Sequence, residues 1–108
     1  VADALARHRE NHEAGIAALT ARSAPAPIPA AGYVMAVDAA NPNDAAKDAV
    51  RMEEDTAAAW RAVAEQATTA DDRKLAVKAL TDCAVLAARW RQVLGISPAT
   101  VAFPGGSE

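Results

Sequence analysis

In three segments of this chain apolar residues return with the 3.6-residue period of an α-helix, each run lasting roughly twenty residues. The first runs from Ala2 to Arg22 and places Leu5, His8, His12, Ile16 and Leu19 on one stripe, with Gly15 just beside it. Arg7, Glu10, Asn11 and Arg22 face away. The second opens at Asn41-Pro42-Asn43-Asp44 and continues to Gln66. Asn41 suits the N-cap, Pro42 the first turn, and Asp44 puts negative charge at the positive end of the helix dipole. Its shared face is Ala46, Ala49, Glu53, Ala57, Trp60, Ala64 and Ala67, whereas Glu54 and Asp55 point outward. After a brief break in which Thr68 or Thr69 can cap, the third runs from Asp71 to Leu94. It turns Leu75, Ala79, Cys83, Leu86, Trp90 and Val93 inward, with Asp82 at the margin. Gly95 supplies a left-handed stop, Ile96 the apolar contact that accompanies one, and Pro98 prevents continuation.

Three such helices predict an all-α fold, an antiparallel helical bundle in a single domain spanning 1–108. Roughly three residues in ten are alanine. Alanine favours helix and close helix packing but buries little area, so the few larger side chains, Trp60 and Trp90 among them, must anchor the core. Alanine-rich stripes with polar residues inside them are better closed by a fourth helix, from upstream sequence or from a second subunit.

Between the first two helices, Ser23 to Ala40 carries Pro25, Pro27 and Pro29, a spacing that dictates extended, polyproline-like chain. Tyr33, Val34, Met35 and Val37 are too apolar for a free linker and are expected along the bundle. A connector this long can reach the full length of a helix and leave its flanking helices parallel. The break before the third helix is short, which makes the second and third antiparallel neighbours. The tail, 96–108, reads as loop.

Net charge is −3, from 11 basic and 14 acidic side chains, without the basic surface a nucleic-acid binder needs. Charges interrupt every helix, so none reads as a membrane span. One cysteine, Cys83, excludes an internal disulfide and fits a reducing cytoplasm, and no export signal is visible.

The segments Leu5-Ala6-Arg7-His8-Arg9-Glu10, Met52-Glu53-Glu54-Asp55-Thr56-Ala57-Ala58-Ala59-Trp60, Ala79-Leu80-Thr81-Asp82-Cys83-Ala84-Val85-Leu86-Ala87-Ala88-Arg89-Trp90-Arg91 and Val101-Ala102-Phe103-Pro104-Gly105 resemble an actinobacterial ferritin-like domain family of unknown function. The resemblance covers essentially the whole chain. It implies a four-helix ferritin-like bundle with one further helix ahead of the first seen here, and it makes the proline-rich stretch the long crossover. It implies no activity, because none is established for the family.

Two oddities bear on chemistry: His8 and His12 on the stripe of the first helix, and Glu53 in the middle of the second. Two-metal helical bundles use inward glutamates and Glu-x-x-His pairs on adjacent turns. Here Thr56, not histidine, stands three residues after Glu53, and Val85 three after Asp82. The two-metal pattern is therefore missing. His8 and His12, one turn apart, leave room for a single divalent metal ion completed by Glu53 or Asp82. The competing reading is a buried polar cluster, because an ionised carboxylate enclosed alone is costly and Glu53 needs a partner such as a histidine or Arg9. A Glu–His pair also suits acid/base work, yet nothing supplies a nucleophile, a phosphate loop or an oxyanion site. Cys83 reads as a small buried hydrophobe, and Arg89 and Arg91 as solvated or paired with acids of the second helix. The expectation is a non-catalytic, cofactor-free module working through protein–protein contacts as a homodimer, with a degenerate or mononuclear metal site as the alternative.

Overall fold

The computed structural model describes residues 1–28 and 40–106. The chain divides into two compact units, residues 1–34 and 35–108. All regular structure among the described residues is helical: α1 is Ala2–Ala21, α2 Pro42–Gln66 and α3 Ala70–Val93. Each helix lies within one residue of the ends that periodicity and capping predict. Residues 29–39, which include Pro29, Tyr33, Val34, Met35 and Val37 of the connector, lie outside the described residues.

α1 ends by a hydrogen-bonded device. Ser23 adopts the left-handed conformation (φ 58°), with its N–H donating to Thr20 O and the Ala24 N–H to Leu19 O. This is the Schellman arrangement, formed around serine where glycine is usual. The prolines at 25 and 27 come only after the helix has stopped. On α1 the most enclosed side chain is Asn11, 2% exposed, whereas Leu5 and His12 are exposed and His8, Ile16 and Leu19 are half-buried. The expected stripe is thus corrected. The covered face of α1 passes through Ala4, His8, Asn11 and Gly15, about two-thirds of one 100° residue step from the predicted centre.

In the second unit α2 and α3 pack against each other. Asn41 caps α2, its Oδ1 accepting from the backbone N–H of Asn43 (3.0 Å) and Asp44 (3.2 Å). Thr69 caps α3, accepting from the Asp72 N–H at 3.2 Å. Arg73 donates back to Ala67 O at 3.1 Å and ties the short turn. At the far end Gly95 (φ 72°) donates to Gln92 O, and the Ile96 N–H to Arg91 O, a second Schellman stop.

The fully buried apolar side chains are Ala46 and Ala57 of α2 and Ala76, Ala79, Cys83, Leu86 and Ala87 of α3. Leu86 is the single large one among them. Trp60 and Trp90 are half-buried, and Val93, expected inside, is 71% exposed. An alanine seam lets two helices approach closely but removes little apolar area from water, at about 25 cal/mol per Å². Polar links across the seam therefore weigh more here than in a leucine-rich hairpin.

Candidate functional site

Glu53 is the centre of the α2 face that meets α3, and it is 6% exposed. Opposite stands Cys83, fully enclosed, whose S–H donates to the Glu53 carboxylate. Burial pushes the thiol up to about 12, with the Glu53 charge, the hydrogen bond to it and the nearby Asp82 carboxylate acting the same way. The thiol is therefore held protonated, as a donor, in its non-nucleophilic form. Asp82 sits at the margin of the seam, its carboxylate bound by Lys78 of the next turn at 3.0 Å.

Of the sequence-predicted site residues in the second unit, Glu53 is inside, with Asp82 beside Cys83. On α1, His8 is half-buried and His12 is exposed, one turn apart but in different surroundings. The partner found for Glu53 within its own unit is Cys83, which periodicity places inward without announcing it as a donor.

Three further features escaped the sequence reading. Asp48, off the shared face of α2, is 3% exposed and paired with Arg51. Arg91, at the edge of the α3 seam, is 9% exposed; it pairs with Glu54 of α2 and donates to Ala99 O at 3.2 Å. One guanidinium thereby joins α2, α3 and the tail. Pairing with an acid of the second helix is one of the two expectations for Arg91, solvation being the other; the link to the tail is in neither.

The tail itself is a strap folded back on the hairpin. Phe103-Pro104-Gly105-Gly106 makes a turn closed by the Gly106 N–H on Phe103 O (3.3 Å), with Gly105 at φ 83°. Proline second and a positive-φ glycine third are the signature of a type II turn. A Cβ on Gly105 would stand 2.8 Å from Ala57 O and 2.9 Å from Arg61 Cβ, so the strap reaches α2 backbone through the one residue type that fits. Against α3 the strap leaves a groove of about 460 Å³, lined chiefly by Leu80, Ala84, Val85, Ala88, Val101 and Pro104. Arg89 stands among its polar members.

The family model described as a domain of unknown function, DUF4439, matches residues 1–108. The chain belongs to the DUF4439 family. Among solved structures, this DUF4439 chain is similar to a conserved hypothetical protein, rv2844, from Mycobacterium tuberculosis. The two are 53% identical, with a TM-score of 0.80, over 85% of this chain and 70% of that one. No curated protein matches. The expectation of an actinobacterial family of unknown function agrees with both findings. No described helix of this DUF4439 chain is long and apolar enough to cross a membrane.

Proposed function

We propose that this chain is a ferritin-like helical-bundle module that performs no chemistry of its own and works through protein–protein contacts as a homodimer in the cytoplasm. The observation that carries the non-catalytic part is the Cys83–Glu53 pair. The Cys83 thiol buried in the α2–α3 seam is spent as a donor to the Glu53 carboxylate, protonated and closed to solvent. A nucleophile needs the opposite, a lowered pKa and access.

The ferritin-like part draws support from the antiparallel α2–α3 hairpin and from α1, whose Leu5 is 55% exposed on a helix that carries apolar residues on more than one side. A fourth helix over the Leu5 side of α1 completes the bundle in this reading. The mycobacterial relative has chain outside the matched 70%, as such a helix requires.

The residues present do not fit the two-metal centre of ferritin-like proteins. Thr56 and Val85 occupy the places of its histidines, His12 is exposed on α1, and Asp82 is engaged by Lys78. A second reading, a single divalent metal ion held by some of His8, His12, Glu53 and Asp82, is favoured by one observation. The buried carboxylate of Glu53 lies against a sulfur, two ligand types facing each other across the seam.

Elemental analysis of full-length protein, purified without chelator or nickel resin, separates the two readings. Absence of stoichiometric metal, with light scattering reporting a dimer, is the expected result. Stoichiometric metal that disappears in Glu53→Ala overturns the first reading in favour of the second.

A further inference from the structure

We draw no further inference here: the strongest candidate, the apolar groove between the C-terminal strap and α3, is an unpartnered face, and nothing in the structure shows what covers it.

Discussion

Gly105 sits so close to α2 that a side-chain carbon on it would fall 2.8 Å from the carbonyl oxygen of Ala57. The contact is with backbone, which cannot swing aside as a side chain does, and Gly105 also has φ 83°. Gly105→Ala therefore meets both a steric and a conformational penalty, together about 2–4 kcal/mol if the strap is to stay docked. Because the strap can detach instead, the expected stability loss is smaller, about 1–2 kcal/mol, the value of the contacts it surrenders. Urea denaturation measures the loss, and limited proteolysis between residues 96 and 106 is expected to become faster in the variant. Unchanged protease resistance would mean the strap is not held where Gly105 places it.

Arg91 offers a second handle on the same strap. Its pairing with Glu54 is half open to water, Glu54 being 53% exposed, so Glu54→Gln is expected to cost under about 1 kcal/mol. Arg91→Met keeps the aliphatic stem but removes both the pairing and the bond to Ala99 O, at about 1–3 kcal/mol. A double-mutant cycle measures the difference. Equal losses for the two single variants would show that the Ala99 bond contributes nothing.

The Cys83 thiol sets a pH dependence whose sign follows from its raised pKa, about 12 in the folded chain against the ordinary 9.0. Below pH 9 the thiol is protonated in both folded and unfolded states, and its favourable interactions are fully present. From pH 9 to about 12 the unfolded chain gives up the proton while the folded one keeps it, so stability falls as pH rises. Chemical denaturation at a series of alkaline pH values is expected to show this decline, and Cys83→Ala to flatten it. At pH 8 an aromatic disulfide reagent is expected to label Cys83 only after denaturant is added. Prompt labelling of native protein would contradict the enclosed thiol and, with it, the non-catalytic reading.

Much of the second unit was legible before any coordinates. Asn41, Thr69 and Gly95 mark helix ends by chemistry that needs only neighbouring residues, and all three act as read. Glu53 was legible as interior because the alanines at 46, 49 and 57 define its face without competition. α1 was misread because its alanines and glycine are nearly neutral in a periodicity argument. The larger Leu5, His12 and Ile16 pulled the predicted stripe off the face that Asn11 shares with Ala4 and Gly15. Arg91 and the strap were illegible for another reason. A guanidinium bound to Ala99 O and a glycine fitted under Ala57 are matches between distant backbone atoms, which no local pattern encodes.

The left-handed turn at Ser23 has a bearing on the proline-rich stretch that follows. Hydrogen bonds from Ser23 and Ala24 already close the end of α1, so Pro25 and Pro27 do not act as its brake. Exchanging those two prolines for alanine should leave the boundary of α1 where it is. Pro25 and Pro27 are then free to answer to a requirement other than stopping the helix, because backbone hydrogen bonds have already done that work.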